Sequence, residues 1–448
     1  MKTQHLLCRL ANCTVASVGL AIVLSGCGGE SQSDPSFQTV IASVPLVIAP
    51  RLAASQDGST WLLWIEGDSN TQSLNAARVD SSGSVSRTTL ASQVAGALRG
   101  QQVLVDGTTP VVAWREYGNS GIFQAHAAAY INGDWKVELT VGPAVQGDVQ
   151  LIPLVSGGAS LVWQQIDVSG QTQLASSQRS PSGIWSQPEV IRNGPLGSTV
   201  SAPRQASGEG GSVTTLWTEA PTSVDGTLQP QVLWASQYDR ANGAWGPPVT
   251  VDAGQIYYSL DIASTGNGTW LAIWLSGDPF QRTAARSKRW TNGAWDVTAS
   301  RVDTGQDAQL NEVALASKNS LAYLAWIGQA ADLSSGSVRA ANFDAATGRW
   351  STPSLVGASE VGYPVSLRAQ TDGAGTAGAV WSVSQGSGGP FLASTDASGA
   401  WSAGSQLDLQ SVGNAPDLSF FSAKDVVTTW YRPLASQNLA DVVVRRLR

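Results

Sequence analysis

The stretch "LVWQQIDVSGQTQLASSQRSPSGIWSQP", Leu161 to Pro188, decides the fold of this chain. An apolar run ends in Trp163, a polar loop leads to a short alternating segment, and a Gly-x-Trp turn places Trp185 shortly before a proline. Alternating segments bounded by turns that contain Gly or Pro are typical of short strands. The same pattern recurs along the whole chain, and the recurrence sets the architecture.

Two sets of tryptophans mark the repeat. The first set ends an apolar run in each copy and consists of Trp64, Trp114, Trp163, Trp217, Trp274, Trp326, Trp381 and Trp430. Its members are separated by 50, 49, 54, 57, 52, 55 and 49 residues. The second set follows a Gly-x turn and consists of Trp135, Trp185, Trp245, Trp295, Trp350 and Trp401, with Val85 in the first copy. Such a period indicates a repeat architecture.

Each copy can be divided into four strands. One precedes the first tryptophan, one ends in it, one follows a polar loop, and one begins at the Gly-x-Trp turn. Four-stranded copies of this length are typical of a β-propeller. The sequence therefore predicts an all-β propeller over residues 36–448, with eight blades or, as the alternative, seven. We expect the spare strand "SFQTVIAS", residues 36–43, to complete the last blade and close the ring without an exposed edge.

The amino-acid composition favours strands over helices and argues against nucleic acid as a partner. Of the 448 residues only 13% are charged, whereas glycine (47) and tryptophan (18) are abundant. This low charge disfavours surface helices, which normally carry many Glu, Lys and Arg residues. The net charge is -7 and no basic cluster is visible, so nucleic acid is not an expected partner.

The first residues have the pattern of an export signal. Lys2 and Arg9 precede an apolar run that is too short to span a membrane. The run ends in "LSGC", residues 24–27, which resembles the lipobox of bacterial lipoproteins. That resemblance implies a signal peptide over residues 1–26 and acylation of Cys27, and Gly28 implies sorting to the outer membrane, with exposure to the periplasm or to the outside left open. The alternative is an ordinary secretory leader.

Residues 27–35 read as a flexible Gly- and Ser-rich tether. Cys27 is the last cysteine of the chain, and Cys8 and Cys13 lie in the leader. The mature domain therefore has no pair of thiols for a disulfide framework.

Acidic residues before the second tryptophans resemble the Asp-box turn of sialidase-like propellers. Asp239, Asp344 and Asp396 precede Trp245, Trp350 and Trp401, although the Gly and Asp spacings depart from the family pattern. The repeat is equally similar to kelch-type repeats of comparable length. In Asp-box proteins this turn is structural, so the resemblance implies an architecture and no activity.

Loop lengths predict which face carries function. Turns between strands one and two and between strands three and four are short, whereas the other two loop classes are longer and variable. Variable loops on a rigid scaffold commonly carry binding residues. The candidate binding residues of this long-loop face are Glu66, Arg115, Glu116, Tyr117, Gln165, Glu219, Tyr257, Tyr258, Tyr363, Tyr431 and Arg432. The alternative is that the acidic ones only solvate the loop starts.

The sequence lacks the residues that most kinds of catalysis require. His126 is the single histidine after the leader and lies in an alternating strand, which favours a structural role. No metal cluster or Ser-His-Asp triad is expected, and no cofactor. The run "GAGTAG", residues 373–378, precedes a strand instead of a helix, so it is not a nucleotide fingerprint.

Four first-strand arginines leave one enzymatic alternative open. They are Arg51, Arg99, Arg204 and Arg368. Sialidases hold a carboxylate with three arginines, so the resemblance implies a glycan-processing enzyme if these residues converge. The alternative is that they pair with acids of neighbouring blades.

The sequence therefore predicts a lipid-anchored envelope propeller that binds a protein or a glycan without catalysis. A sialidase-like enzyme and a purely structural envelope subunit are the two alternatives.

Overall fold

The computed structural model describes residues 37–448 apart from residues 46, 69–70, 95–97, 118–120, 143, 202, 223–228, 278–283, 306, 333, 361, 373, 385–388, 409–413, 423 and 435–437. The predicted signal peptide (1–26), Cys27 and the tether lie outside these residues. Within the described ranges the chain is built of strands, and the helical element is one 3-10 turn at Glu209–Gly211. No helix in these ranges has the length and apolarity needed to cross a membrane.

The strands follow the predicted repeat. The first strand is β1 (Gln38–Pro45). Three sheets follow, with strands β2 (Val47–Ala54), β3 (Thr60–Gly67), β4 (Thr71–Val79), β5 (Val85–Val94), β6 (Leu98–Asp106), β7 (Thr109–Tyr117), β8 (Phe123–Ile131), β9 (Asp134–Val141), β10 (Val145–Pro153), β11 (Ala159–Ile166), β12 (Thr172–Arg179) and β13 (Glu189–Asn193).

The middle of the chain continues with β14 (Ser198–Val200), β15 (Arg204–Ser207), β16 (Val213–Pro221), β17 (Gln231–Asp239), β18 (Ala244–Trp245), β19 (Val249–Ser264), β20 (Trp270–Gly277), β21 (Ala284–Thr291), β22 (Ala294–Trp295) and β23 (Ser300–Arg301). The last part contains β24 (Gln309–Lys318), β25 (Leu321–Gln329), β26 (Gly336–Asp344), β27 (Arg349–Trp350), β28 (Ser354–Ser359), β29 (Pro364–Thr371), β30 (Ala377–Val383), β31 (Phe391–Ser394), β32 (Ser405–Gln406), β33 (Asn414–Ser422), β34 (Asp425–Pro433) and β35 (Leu439–Leu447).

We call each group of four consecutive strand positions a unit. Units 1, 2 and 3 are β2–β5, β6–β9 and β10–β13, and each forms an antiparallel sheet in chain order. In unit 4, β14 and β15 together make an interrupted first strand beside β16. The long strand β19 ends unit 4 beside β17 and begins unit 5 beside β20, so these two units share one sheet.

Units 6 and 7 are β24–β28 and β29–β32. Unit 8 combines β33, β34 and β35 with β1, which pairs antiparallel with β35. The sequence-based prediction of an all-β fold with four-stranded antiparallel sheets is therefore confirmed. The first strands also contact one another in chain order, from β2 through β6, β10, β15, β19, β24 and β29 to β33, and β33 contacts β2.

The first set of tryptophans fills the space between units. Trp163 is fully buried in a cluster that joins the apolar faces of units 2 and 3, with Val111 and Ala127 from unit 2. Trp326 occupies the equivalent place between units 5 and 6. Alternation along each second strand directs these rings into the cores, because successive side chains point to opposite faces of a sheet.

Four tryptophans of the second set form hydrogen bonds to the preceding unit. The Trp185 indole N–H donates to Glu138 of unit 2 over 3.0 Å. Trp245 donates to the Ser176 hydroxyl of unit 3 over 2.7 Å. Equivalent bonds run from Trp350 to Ser287 (3.0 Å) and from Trp401 to Asn342 (2.9 Å). The Gly-x-Trp turns are therefore contacts between units as well as starts of fourth strands.

Candidate functional site

Each first strand carries an irregularity opposite the first-set tryptophan. The pairing register of β2 with β3 shifts between Ile48 and Arg51, and that of β29 with β30 shifts between Val365 and Arg368. Comparable shifts occur in the first strands of units 2, 3, 5, 6 and 8. Unit 4 has the break between β14 and β15 at this place. Such bulges redirect side chains and often lie next to functional sites.

The position that follows the bulge carries charged side chains in five units. Arg51, Arg204 and Arg368 pair in register with the residue just before the first-set tryptophan, and Asp261 and Asp417 do the same. Together with Glu312, which lies inside the bulge of β24, these residues form what we call the central cluster: Arg51, Arg204, Asp261, Glu312, Arg368 and Asp417.

The arginines of the central cluster have few protein partners. Within the described residues, the Arg51 side chain makes neither a hydrogen bond nor a contact ion pair, and the Arg204 side chain donates to the Pro203 carbonyl oxygen. Arg368 donates to the Leu367 carbonyl and lies 3.7 Å from Glu312. A guanidinium has five N–H donors, so the donors of these side chains are largely available to another acceptor.

The acids of the central cluster bind the backbone of the next unit. Asp417 accepts the Leu52 N–H over 3.1 Å, and Asp261 accepts the Leu315 N–H over 2.8 Å. Glu312 accepts the Leu367 N–H over 2.9 Å. First strands are sheet edges, so their outward N–H groups need partners from elsewhere. These carboxylates therefore join neighbouring first strands.

Electrostatic interactions connect the cluster across units. Burial, followed by repulsion from Arg368, lowers the pKa of Arg51 to about 10, while Asp417 opposes the shift. Burial raises the pKa of Asp417 above its usual value, against the attraction of Arg51 and Arg368. Burial also raises the pKa of Asp261, which Arg204 and Arg368 oppose. Arg368 thus acts on both acids, whereas Arg51 acts on Asp417 and Arg204 acts on Asp261, so the charges of units 1, 4, 5, 7 and 8 are linked.

Three polar residues predicted on the long-loop face accept hydrogen bonds from first-set tryptophans. The Trp64 indole donates to Glu66 over 2.9 Å, Trp114 to Glu116 over 3.2 Å, and Trp163 to Gln165 over 2.8 Å. Residues two apart on a strand share a face, which explains the recurring bond.

Two of these acids also pair with arginine. Glu66 forms an ion pair with Arg87, and Glu219 accepts from Arg192 over 3.0 Å. Glu66 therefore has its partner inside unit 1, whereas the pair of Glu219 with Arg192 joins unit 4 to unit 3.

The other predicted residues of this face are spread over several units. Tyr257 is buried, and its hydroxyl donates to Asp252, so its ring does not reach solvent. Tyr258 packs against the core between units 5 and 6, and Tyr431 packs beside β1. Arg432 forms a 2.7 Å ion pair with Asp408.

Tyr363 is half-buried, and its backbone N–H binds the Ser384 hydroxyl. Arg115 and Tyr117, by contrast, share one aromatic neighbour, Phe123.

His126 lies against its own sheet. Its ring stacks on Trp114 at 5.2 Å and lies 3.0 Å from the Thr140 hydroxyl. Burial lowers its pKa, and Glu116 opposes this shift. The described residues contain no group of three His, Cys, Asp or Glu side chains that could hold a metal ion.

Sequence reasoning missed the acids of the central cluster, although a signal existed. Arg51, Arg204 and Arg368 each lie thirteen residues before their first-set tryptophan, and so do Asp261 and Asp417. Alignment on the tryptophans would have placed all five in one layer. Arg99, the fourth predicted arginine, lies outside this layer and binds Gln72 and the Leu98 carbonyl.

Comparisons with known proteins report a shared fold. No family model and no curated protein matches the sequence. The polysaccharide lyase PL25 ulvan lyase is 9% identical over 79% of this chain and 95% of its own, with a TM-score of 0.52. The polysaccharide lyase Uly1 is 9% identical over 93% and 100%, with a TM-score of 0.50. The β-propeller domain of the Trilobed protease from Pyrococcus furiosus is 9% identical over 82% and 98%, with a TM-score of 0.46. At these identities the similarity concerns the fold alone.

Proposed function

We propose that this chain is a lipid-anchored, eight-bladed propeller of the bacterial outer membrane that binds an acidic glycan over the centre of its ring. The observation that carries the proposal is the central cluster. Arg51, Arg204 and Arg368 come from three units at one register position and have few acceptors in the protein. Arginine binds carboxylate and sulfate groups with paired N–H donors, which gives both strength and geometry.

The eight-bladed, closed ring has its own support. The four-strand pattern accounts for units 1 to 8, and the contacts between first strands return from β33 to β2. The pairing of β1 with β35 supplies the fourth strand of unit 8. Closure of this kind leaves no sheet edge open at the junction of the two chain ends.

An anionic ligand matches the electrostatics of the cluster. Arg51 and Arg368 repel each other, and burial disfavours the charge of Arg51. The nearby carboxylates of Asp261 and Asp417 are engaged by backbone N–H groups. A carboxylate or sulfate between the arginines would relieve this repulsion. The attraction between opposite charges is stronger at a buried site than on an open surface, because the effective dielectric constant is lower there.

A glycan array tests the proposal. Mature protein is applied to acidic and neutral glycans, and Arg51→Ala is compared with wild type. Loss of a charge-assisted bond corresponds to a decrease in affinity of about 10-fold to 100-fold. Arg349→Ala is the matched control, because Arg349 is exposed in the short strand β27, at the short-turn end of unit 6. Equal binding of neutral and acidic glycans, or full binding by Arg51→Ala, contradicts the proposal.

A glycan-processing enzyme is the second candidate, because the same three arginines share a cluster with carboxylates. Incubation of bound acidic glycans with wild type and Asp261→Asn, followed by mass spectrometry, decides between the two. Shortened products that disappear with Asp261→Asn support an enzyme. Intact glycans support binding without catalysis, and an absence of glycan binding leads back to a protein partner or a structural subunit.

The membrane anchor is tested separately. The lipobox predicts that labelled palmitate is incorporated into wild type and not into Cys27→Ala. Fractionation of the envelope would then place the protein at the outer membrane.

A further inference from the structure

A group of side chains on unit 2 lies beside the central cluster and has features of a sugar-binding surface. We call Arg99, Arg115, Tyr117 and Phe123 the unit 2 platform. Tyr117 pairs with Phe123 across β7 and β8, and Arg99 pairs with Arg115 across β6 and β7. Paired residues and residues two apart on a strand share one face of a sheet, so all four side chains lie on the same face.

The aromatic part of the platform is open to solvent. The Tyr117 ring meets the Phe123 ring at a centroid distance of 5.1 Å and an angle of 65°. Tyr117 is 42% exposed, which makes it one of the large exposed apolar side chains of the described residues. An exposed tyrosine held by a second ring offers a rigid flat surface at low entropic cost.

Arg115 is the less engaged of the two arginines of the platform. The Arg115 guanidinium lies 4.5 Å from the Phe123 centroid, and its side chain is 13% exposed. Its Nε is buried and has no hydrogen-bond partner in the described part of the chain. Its carboxylate neighbour Asp148 is 3.5 Å away and is itself 63% exposed. A pair with an exposed carboxylate is weak, so an acidic ligand can compete with Asp148 for the terminal N–H groups of Arg115.

The platform is continuous with the central cluster. Asp148 pairs with Arg115 and also attracts Arg51. Gly100 lets the Asp148 carboxylate lie close to the backbone of unit 2. It has a φ of +62°, and a Cβ at this position would lie 3.0 Å from that carboxylate. Contacts therefore run from Tyr117 through Phe123 to Arg115 and Asp148, and the charge of Asp148 acts on Arg51 without a direct contact.

We infer that the ligand is an acidic oligosaccharide or polysaccharide, with one acidic sugar at the central cluster and a following sugar stacked on Tyr117. This inference rests on the proposed function and specifies its ligand as a chain instead of a single acidic sugar. The apolar face of a sugar ring fits an exposed aromatic ring, and its hydroxyl or acid groups can accept from Arg115 and Arg99. A single acidic sugar would reach the central cluster without reaching the platform.

Calorimetric titration of the mature protein in detergent separates the two subsites. The probes are galacturonic acid, its linear hexamer and the neutral hexamer maltohexaose, with a sulfated galactan hexasaccharide run in parallel to distinguish carboxylate from sulfate. Tyr117→Leu removes the aromatic ring and keeps an apolar side chain. We expect this substitution to lower the affinity for the acidic hexamer by about 3-fold to 10-fold and to leave the affinity for galacturonic acid unchanged.

Two further variants keep the outcomes distinct. Tyr238→Leu removes a ring that also packs on an aromatic neighbour, Trp245, at the short-turn end of unit 4, and should change neither affinity. Arg51→Ala should weaken both acidic probes. If Tyr117→Leu binds the acidic hexamer as wild type does while Arg51→Ala does not, the platform is not a subsite and the proposed function stands. If wild type prefers neither acidic hexamer to maltohexaose, both proposals fail.

Discussion

At the scale of single residues, burial decides how much an ion pair contributes. Arg179 is 4% exposed and contacts two acids from unit 2. It binds Glu138 over 2.8 and 2.9 Å and Asp106 over 3.2 Å, and Trp185 donates to the same Glu138. Removal of a buried partner leaves a charge without compensation, which is far more costly than the loss of a surface pair.

Arg179→Ala should therefore lower the free energy of unfolding by about 3–5 kcal/mol. Arg78→Ala is the control, because Arg78 and Asp57 form a pair that is 44% and 43% exposed. We expect it to cost at most about 1 kcal/mol. Urea unfolding followed by tryptophan fluorescence measures the free energy of unfolding of both variants and of wild type. Similar losses for the two variants would contradict the structural role of Arg179.

Asp57 predicts a pH dependence of stability. Burial acts to raise its pKa, but hydrogen bonds from Ser59 and Ser55 and the charge of Arg78 outweigh it and lower the pKa to about 2. The unfolded chain, with a value near 3.8, binds the proton more readily. The carboxylate therefore stabilises the fold above pH 4, and this contribution is lost as the pH falls towards 2.

Asp57→Asn should be less stable than wild type at pH 7, and the difference should shrink between pH 4 and pH 2. Thermal unfolding at a series of pH values measures it. A difference that stays constant over this range would show that the charge of Asp57 does not contribute.

At the scale of elements, the short strands that end in a second-set tryptophan hold neighbouring units together. Trp350 and Trp295 occupy equivalent places in units 6 and 5, next to Phe343 and Trp290. The Trp350 indole donates to Ser287, whereas the Trp295 indole N–H is buried without a partner in the described residues. The two sites therefore differ by one hydrogen bond.

Trp350→Phe should cost about 1 kcal/mol more stability than Trp295→Phe, because it also removes the bond to Ser287. Both variants lose a similar apolar surface, so the difference isolates the hydrogen bond. Chemical unfolding of the pair is the measurement. A larger loss for Trp295→Phe would mean that packing, and not this bond, decides the contact between units.

The elements also show how far the sequence predicts this molecule. The spacing of tryptophans such as Trp163 and Trp185 predicted four strands per copy, because both mark fixed places in a unit. The bulges of the first strands escaped prediction, since they depend on pairing with a neighbouring strand. Without that register, Arg51 and Arg368 could not be assigned to one layer. The hydrogen bond that Glu66 accepts from the Trp64 indole also escaped prediction, because the sequence does not show which side chains on a strand bond to each other.

At the scale of the whole molecule, β1 joins the two ends of the chain. Its residues pair with β35 from Gln38 opposite Arg445 to Pro45 opposite Leu439. Val44 is buried in the core that units 8 and 1 share, and Ile41 packs against it. Without β1, β35 would present a free edge next to an exposed apolar surface, which favours association.

Deletion of residues 27–45 should therefore destabilise the fold by about 5 kcal/mol or more, because Val44 and the partly buried Phe37, Val40 and Ile41 all lose their packing. The deletion of residues 27–36 keeps β1 and is the control, with no change in stability expected. Thermal unfolding and size-exclusion chromatography follow both. A stable monomer after the longer deletion would contradict closure by β1.

The place where β1 begins has a consequence for how the molecule is presented. Phe37 and Thr39 lie against Gly83, in the short turn of unit 1, and Thr39 donates to its carbonyl over 3.0 Å. The chain thus enters at the short-turn end, and the ten residues back to Cys27 reach at most about 35 Å. A lipid on Cys27 would turn this end towards the leaflet. The long loops that follow Gly67 and Tyr117 lie at the opposite end of their sheets, and they would then face away from the lipid, towards whatever the envelope compartment delivers.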